Sequence, residues 1–168
     1  RYFRSVRERE ELEQWFDGLL CRYEKWARFQ YEWKRTRKAS IQPLEFPFVY
    51  REGQRELAAG VYRTIARGKR LFIQAPTGVG KTISTVFPAA KAVGEELGDR
   101  IFYLTARTIT RTVAVDALDL LRQQGMELKT VVLTAKEKLC VCEKPECDPD
   151  HCPRAKGHFD RINQAFYE

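Results

Sequence analysis

The chain has 168 residues, 43% of them hydrophobic and 32% charged, which excludes a disordered polymer and allows one sizeable core but not two large domains. Its net charge of +7 and pI near 9.3 favour a polyanionic partner. No apolar run approaches the ~20 residues that cross a bilayer, and the charged first residues do not resemble a secretion signal. We therefore expect a cytoplasmic protein with no membrane contact. Because the chain starts at Arg1 and stops inside a predicted helix, we expect it to be part of a longer protein.

Residues 8–38 have apolar side chains at every third or fourth position, which predicts an amphipathic helix or a helix pair. All three tryptophans of the chain lie here. The helical spacing favours a face that packs into a core, and the alternative is an aromatic surface that stacks on single-stranded nucleic acid. The basic run at residues 34–38 fits a solvated helix end and a phosphate contact equally well.

Residues 39–47 contain two prolines and no helical pattern, which indicates a connector and a domain boundary. A helix is predicted over residues 51–67, with Gly68 as its stop. Arg51 and Gln54 lie near its start, three residues apart and so on one side. A glutamine amide there can both donate to and accept from an adenine edge, although the spacing alone is weak evidence.

Residues 71–82, LFIQAPTGVGKT, contain the clearest motif of the chain. Four mostly apolar residues predict a buried strand, and the glycine-rich turn after it matches the P-loop pattern with Ala75 in place of the first glycine. Gly78 and Gly80 let successive backbone N–H groups converge on phosphate oxygens at a helix start. In this pattern Lys81 reaches the β and γ phosphates and Thr82 places its hydroxyl on Mg²⁺.

The motif predicts an ATP site with Mg²⁺, and the alternative is a plain glycine turn. The apolar segment before it and the apolar-periodic run after it favour nucleotide binding. The predicted ATP-binding residues of the turn are Thr77, Gly78, Val79, Gly80, Lys81 and Thr82, of which Lys81 and Thr82 are also the predicted catalytic residues.

Two further apolar segments, residues 101–104 and 131–133, predict strands separated by helices of about fifteen residues. Alternating strands and helices predict an α/β fold, a parallel sheet with flanking helices and with ligands at the carboxyl ends of the strands. Thr105, Arg107 and Thr108 would lie at such an end. There they would bind a phosphate backbone, and the alternative is a threonine cap for the next helix.

Four of the five cysteines lie within thirteen residues, in the pattern C-x-C-x4-C-x4-C, with almost no apolar residue between them. They are Cys140, Cys142, Cys147 and Cys152. Such a loop has no core of its own, so it indicates a metal or cluster site, with disulfides as the alternative. The spacing leaves structural Zn²⁺ and an iron–sulfur cluster both open, and His151 is a possible substitute ligand. Cys21 is isolated, which is typical of a small buried residue.

The P-loop AxTGxGKT, the upstream YREGQ, the YLTART segment and the cysteine cluster occur in the order that resembles the first part of an XPD/DinG-like superfamily 2 DNA helicase with an iron–sulfur domain. The resemblance covers about residues 45–168. Helicases of this superfamily often have alanine at the position of Ala75. The resemblance implies an adenine-side motif at Arg51 and Gln54 and contact with single-stranded DNA at residues 105–108.

KEKLC and CPRAKGHF resemble the opening and the close of the cluster domain, which implies that Cys140 and Cys152 are the first and last ligands of a 4Fe–4S cluster. The middle ligands are then Cys142 and Cys147, with Zn²⁺ as the alternative metal. We therefore expect three parts: a helical segment at 1–40, predicted from its apolar periodicity and outside the resemblance, then the first part of a RecA-like motor domain at 41–135 and the start of the cluster domain at 136–168, both implied by the resemblance.

The implied function is that of an ATP-dependent DNA helicase that couples ATP hydrolysis to strand separation in DNA repair, acting on single-stranded or junction DNA. No DEAH-like acidic motif follows the P-loop, so we expect this part to bind nucleotide without hydrolysing it. One alternative is a P-loop ATPase with a structural zinc ribbon that binds nucleic acid without unwinding it. A second alternative is a small-molecule kinase of the P-loop type, with a lid that a zinc ion holds together.

Overall fold

The computed structural model describes residues 4–106, 108–142 and 146–167, with the backbone alone at 108–110. This part of the chain forms six helices. They are α1 (Arg9–Ile41), α2 (Gln54–Ala66), α3 (Lys81–Gly94), α4 (Thr108–Gln123), α5 (Lys136–Leu139) and α6 (His158–Ala165). The chain divides into two compact units, residues 1–128 with α1 to α4 and residues 129–168 with α5 and α6.

The amphipathic helix or helix pair predicted over residues 8–38 is a single helix, α1, which is 33 residues long. Glu10 and Glu11 lie in its first turn and Lys38 in its last, where each charge interacts favourably with the helix dipole. The predicted packing of its aromatic face is limited to the last third, since the side chains before residue 27 are exposed.

The hydrophobic core of the first unit surrounds α3. Ile41 and Leu121 are fully buried, so the end of α1 and the end of α4 both pack there. The other buried members of the core are Leu44, Ile83, Val86, Ala90, Val93, Ala117 and Met126. Because α3 begins directly at Lys81, this core fixes the helix that carries the predicted phosphate-binding lysine.

The C-terminal end of α1 is attached to α3 by a lysine. The Nζ atom of Lys91 donates to the carbonyl oxygens of Gln42 at 2.7 Å, Leu44 at 3.3 Å and Ile41 at 3.4 Å. The last carbonyls of a helix have no partner within the helix, so a cation stabilises them. Lys91 therefore caps α1 from the neighbouring helix.

Two ion pairs add to this attachment. Glu96, just beyond α3, lies 3.2 Å from Lys34 and 3.4 Å from Lys38. Hydrogen bonds from Lys34 and Lys38 hold the pKa of the Glu96 carboxyl below its usual value. Two lysines of the basic run at residues 34–38 thus pair with a carboxylate of the same chain.

The predicted α/β fold with a RecA-like parallel sheet is wrong, because the described residues contain no β-strand. Residues 71–73, 101–104 and 131–133, predicted as strands, have no regular structure. Phe72 is 94% exposed, Leu104 89% and Leu133 83%. A parallel strand gains stability only from a partner distant in the sequence and from cover on both faces. A helix makes its backbone hydrogen bonds within its own segment, so it forms without a partner that is distant in the sequence.

Among the described residues, every helix is too short or too polar to cross a lipid bilayer. The domain boundaries near residues 40 and 135 stay predictions.

Candidate functional site

The loop before α3 has the backbone shape of an anion-binding turn. Gly78 and Gly80 have φ values of 85° and 75°, in the left-handed region that residues with a Cβ rarely adopt. Gly80 is the N-cap of α3, and the N–H of Ser84 makes the first helical hydrogen bond, to the Gly80 carbonyl. The preceding N–H groups have no partner within the helix, and they lie at the positive end of the helix dipole. This geometry suits a phosphate group.

Lys81 lies across this loop. Its Nζ atom donates to the carbonyl oxygens of Pro76 at 2.7 Å and Ala75 at 2.9 Å. The ammonium group is therefore held on the loop by two neutral acceptors. Phosphate oxygens carry negative charge and make stronger hydrogen bonds to an ammonium, so a bound phosphate can replace both carbonyls.

Arg51 and Gln54 are brought against the same loop by the start of α2. The Gln54 Nε2 atom donates to the Val79 carbonyl at 3.0 Å, and the Gln54 Oε1 atom accepts from the Arg51 backbone N–H at 3.0 Å. The Arg51 guanidinium donates to the Gly78 carbonyl at 2.7 Å. Gln54 is buried, so its amide works in a site shielded from water. The two residues implied on the adenine side thus also fix the glycine turn.

The contact between Gln54 and the turn is close. A Cβ atom at Gly80 would lie 2.6 Å from the Gln54 Nε2 atom. Glycine is therefore needed at position 80 for two reasons: it allows the positive φ, and it leaves room for the Gln54 amide.

A cleft of about 590 Å³ opens beside the glycine turn, within the size range of small-molecule sites. One wall is formed by residues 51–53 and Leu57 of the α2 start, and the other by residues 73–76, Gly78 and Val79. Leu57 lies within the helix predicted over residues 51–67, and no motif in the sequence indicates that it borders a cleft. Ile73 was expected inside a strand, and its place on the cleft wall follows only from the irregular path of residues 71–73.

The two predicted threonines of the ATP site lie on either side of the glycines. Thr77 belongs to the turn, and Thr82 is the second residue of α3. The role of Thr82 toward Mg²⁺ stays a prediction.

The predicted DNA-binding residues are only partly described. Thr105 is exposed, Thr108 is the first residue of α4 with its side chain outside the description, and Arg107 lies outside the described residues. That these three residues bind DNA stays a prediction.

In the second unit, the Cys142 thiol interacts with two of the other clustered thiols. All four cysteines are free, with Cys152 buried, Cys140 half-buried, and Cys142 and Cys147 exposed. The thiols of Cys140 and Cys152 lie beside Cys142 and raise its pKa, the charge of Cys140 being the larger cause.

Backbone N–H groups of Ala155 and Arg154 lower the pKa of Cys152. A turn that begins at Asp148 fixes the backbone of Cys152, because the Asp148 carbonyl accepts hydrogen bonds from the N–H groups of His151 and Cys152.

The fourth thiol, Cys147, has a different neighbour. A hydrogen bond from the Lys136 ammonium to Cys147 raises the pKa of Lys136. Within residues 4–106, 108–142 and 146–167, no group of three or more His, Cys, Asp or Glu side chains is arranged to hold a metal ion. Cys142 therefore lies next to two other thiols, but the four thiols do not surround one common metal position. The donor set itself, four thiols with free sulfur atoms, suits a thiophilic metal.

Comparison with known proteins finds a partial relationship. Over 51 residues the chain is 47% identical to the ATP-dependent DNA helicase DinG of Salmonella choleraesuis, and it has the same identity to the DinG proteins of Salmonella paratyphi A and Salmonella typhimurium. The matched segment covers 29% of this chain and 7% of each relative, so the chain corresponds to a small part of these helicases. No family model matches the chain. No solved structure matches it.

Proposed function

We propose that the chain is the nucleotide-binding part of an ATP-dependent DNA helicase. The observation that carries this proposal is the attachment of Arg51 and Gln54 to the carbonyls of Gly78 and Val79, beside an open cleft. Two separate stretches of sequence with the chemistry of a nucleotide site are thereby in contact. The partial identity to DinG helicases supports the same class of protein.

Each part of this site has a role toward ATP in the proposal. The turn at 77–80 and the start of α3 bind phosphate oxygens through backbone N–H groups. Lys81 leaves the carbonyls of Ala75 and Pro76 and contacts the β and γ phosphates, while Thr82 holds Mg²⁺. Arg51 and Gln54 stand at the adenine side and keep the turn in shape for the phosphates.

The DNA partner is proposed from charge as well as from the relatives. The net charge of +7 favours a polyanion, and the segment 105–108 provides two hydroxyls and one guanidinium for a phosphate backbone. In the whole helicase, ATP turnover would drive the separation of DNA strands, and the DNA that the protein contacts would be single-stranded or junction DNA.

The cysteine cluster is proposed as a four-thiolate site for a 4Fe–4S cluster, held by Cys140, Cys142, Cys147 and Cys152. When bound, such a cluster would cross-link and stabilise a loop that has no hydrophobic core of its own. The interactions of Cys142 with Cys140 and with Cys152 support it, and Cys147 would exchange its contact with Lys136 for the metal. Zinc is the competing occupant.

Binding of a fluorescent ATP analogue tests the nucleotide site directly. We expect the 168-residue chain to bind it in the presence of Mg²⁺, and Lys81→Ala to weaken the binding by at least about tenfold because a charge-assisted contact is lost. Lys69→Ala is the matched control, since Lys69 is an exposed lysine close in sequence but not on the glycine turn. Equal binding by the Lys81 and Lys69 variants would contradict the proposed site.

Anaerobic purification tests the cluster. A 4Fe–4S protein is brown and absorbs broadly near about 400 nm, and Cys147→Ser should lose this absorption. Cys21→Ser is the control, because Cys21 is an exposed cysteine of α1 and is not part of the C-x-C-x4-C-x4-C pattern. A colourless protein with one zinc per chain decides for the zinc site, and a metal-free protein excludes both.

A further inference from the structure

The amide of Gln54 is engaged by backbone groups at both of its polar atoms. Its Nε2 atom donates to the Val79 carbonyl, and its Oε1 atom accepts from the Arg51 N–H. The side chain is buried, and its Nε2 atom lies so close to the turn that a Cβ atom at Gly80 would meet it. An amide that reads an adenine edge needs a donor and an acceptor that both face the base. In this arrangement the Gln54 amide faces the turn.

The cleft beside the turn is the place for the nucleoside of a bound nucleotide. This placement rests on the proposed function, in which the turn and the start of α3 hold the phosphates. Gly78 and Val79 of the turn belong to the cleft wall, so the ribose and the base of such a nucleotide extend into the cleft. Its volume of about 590 Å³ is within the range of small-molecule sites. Residues 51–53 line this cleft, whereas Gln54 does not.

The cleft offers apolar side chains for the faces of a base. Leu57 of α2 and Ile73 of the segment before the turn belong to opposite walls. Ile73 is exposed and Leu57 is half-buried, so a planar base between them would remove apolar surface from water. Sites for small molecules combine such surface with a few polar groups that fix the orientation of the ligand.

Three polar side chains line the cleft, from Arg51, Glu52 and Gln74. The Arg51 guanidinium already donates to the Gly78 carbonyl, at 2.7 Å. Glu52 and Gln74 are exposed, and among the residues that the structure describes neither side chain makes a hydrogen bond or an ion pair. Both therefore have their polar atoms available to a ligand.

Glu52 is the stronger hydrogen-bond acceptor of these two residues. An ionised carboxylate only accepts, and its hydrogen bonds are charge-assisted, whereas an amide both donates and accepts without a charge. Adenine has an exocyclic amino group that donates, next to ring nitrogens that accept. A carboxylate on the cleft wall thus matches the amino group and disfavours a base that presents only acceptors at this position.

We propose that Glu52, rather than Gln54, contacts the base of bound ATP, by accepting a hydrogen bond from the exocyclic amino group of adenine. The site then selects nucleotides whose base carries such a group. Gln54 is a positioning residue, which acts on the phosphates through the shape of the turn. Loss of Glu52 therefore changes which nucleotide binds, and loss of Gln54 changes how tightly every nucleotide binds.

Competition between two nucleotides separates these effects. A fluorescent ATP analogue labelled on its ribose is displaced, in the presence of Mg²⁺, by ATP or by purine riboside triphosphate, which lacks the exocyclic amino group. We expect the 168-residue chain to bind ATP at least about fivefold more tightly, as for one hydrogen bond. Glu52→Ala should bring this ratio close to one. Glu56→Ala is the matched control, because it removes an exposed carboxylate of α2 that does not line the cleft.

Gln54→Ala should lower the affinity for both nucleotides by a similar factor and keep their ratio. A turn that adopts its binding conformation less often weakens every ligand alike, so the ratio does not respond to a purely structural change. Glu52 is exposed and precedes α2, so its variant should fold. The Glu52→Ala result therefore decides even where Gln54→Ala does not fold.

Two results overturn the assignment while leaving the nucleotide site in place. Equal binding of ATP and purine riboside triphosphate by the original chain would show that nothing contacts the amino group. A ratio that survives Glu52→Ala would show that another residue does, and its loss in Gln54→Ala or in Gln74→Ala would identify that residue. A chain that binds neither nucleotide contradicts the proposed function as well, which distinguishes the two failures.

Discussion

The Nε2 atom of Gln54 lies 3.0 Å from the backbone carbonyl of Val79, and this hydrogen bond joins the first residue of α2 to the turn that precedes α3. The same amide accepts the N–H of Arg51 through its oxygen. Gln54 is almost fully buried, at 4% exposed, so water cannot replace either contact. One side chain thus sets the distance between two segments that are 25 residues apart.

Gln54→Ala should therefore destabilise the chain and weaken nucleotide binding together. The substitution leaves the Val79 carbonyl and the Arg51 N–H without their partner, at a cost of about 1–3 kcal/mol in the free energy of unfolding. Chemical denaturation and titration with a fluorescent ATP analogue measure the two effects. Glu56→Gln, an exposed change two residues along the same helix, is the control. A Gln54 variant with the stability and the affinity of the original chain would show that the turn holds its shape alone.

Gly94→Ala should destabilise the junction of α1 and α3, although alanine favours helices. A Cβ atom at Gly94 would lie 2.8 Å from the Cβ atom of Ile41, which is fully buried and branched at that carbon. The gain of about 1 kcal/mol in helix propensity is smaller than the cost of moving a packed backbone, about 1–3 kcal/mol. We expect a net loss of stability in urea denaturation.

Gly98→Ala is the control for the junction. Nothing lies within 4 Å of a Cβ atom built at Gly98, so this variant should unfold at the urea concentration of the original chain or slightly above it. Equal stability of the Gly94 and Gly98 variants would mean that Ile41 adjusts without cost.

Ser84→Ala should stabilise the chain. The Ser84 hydroxyl is fully buried, and its Oγ atom has no hydrogen-bond partner within the described residues. Removing a buried unsatisfied hydroxyl gains about 1 kcal/mol, which corresponds to a rise of about 2–4 °C in the melting temperature. Thr85→Ala is the control, because the Thr85 hydroxyl donates to the carbonyls of Lys81 and Thr82 and its removal should bring no such gain. Calorimetry compares the variants, and a lower melting temperature for Ser84→Ala would reveal a partner for the hydroxyl.

Acidification should reduce the contribution of Glu96. Its pKa in the folded chain is below the ordinary value of 4.5 because Lys34 and Lys38 donate hydrogen bonds to it. A carboxyl with a depressed pKa stabilises the fold above its ordinary pKa, and this effect is lost as the pH falls through the folded value. The stability difference between the chain and Glu96→Gln should therefore shrink from about pH 7 to about pH 3.

The effect of Glu96 should be small, because the carboxyl and both lysines are about half exposed, and it should shrink further in high salt. Glu95→Gln, at the adjacent position, is the control. A difference that stays constant with pH would mean that the Glu96 charge contributes nothing to folding.

The helices were predictable from the sequence because their signals are local. Apolar periodicity predicted α1, α2, α3 and α4, and the glycines of the turn predicted where α3 begins. The sheet was predicted wrongly from three apolar runs of three or four residues. Such runs show that a segment favours burial but not which distant segment pairs with it, and Phe72 and Leu104 are exposed instead.

The candidate site was predictable in its parts rather than in its contacts. The motif identified Lys81 and the glycines, and the resemblance to a helicase family selected Arg51 and Gln54. That their side chains bond the carbonyls of the turn depends on how α2 packs beside α3, which no local pattern contains. The contact of Cys147 with Lys136 was likewise absent from the cysteine spacing, because a thiol interacts with neighbours as well as with a metal.

Lys91 fastens the last carbonyls of α1 to the helix that starts at Lys81, and this gives the long helix the mechanics of a lever arm. A helix of 33 residues is about 50 Å long, so a tilt of about 5° at its fastened end moves its free end by about 4 Å. A change in the tilt of α3 on nucleotide binding would therefore be magnified at residues 9–26. A pair of probes, one near the turn and one near Arg9, would register nucleotide binding as a change in distance far from the nucleotide.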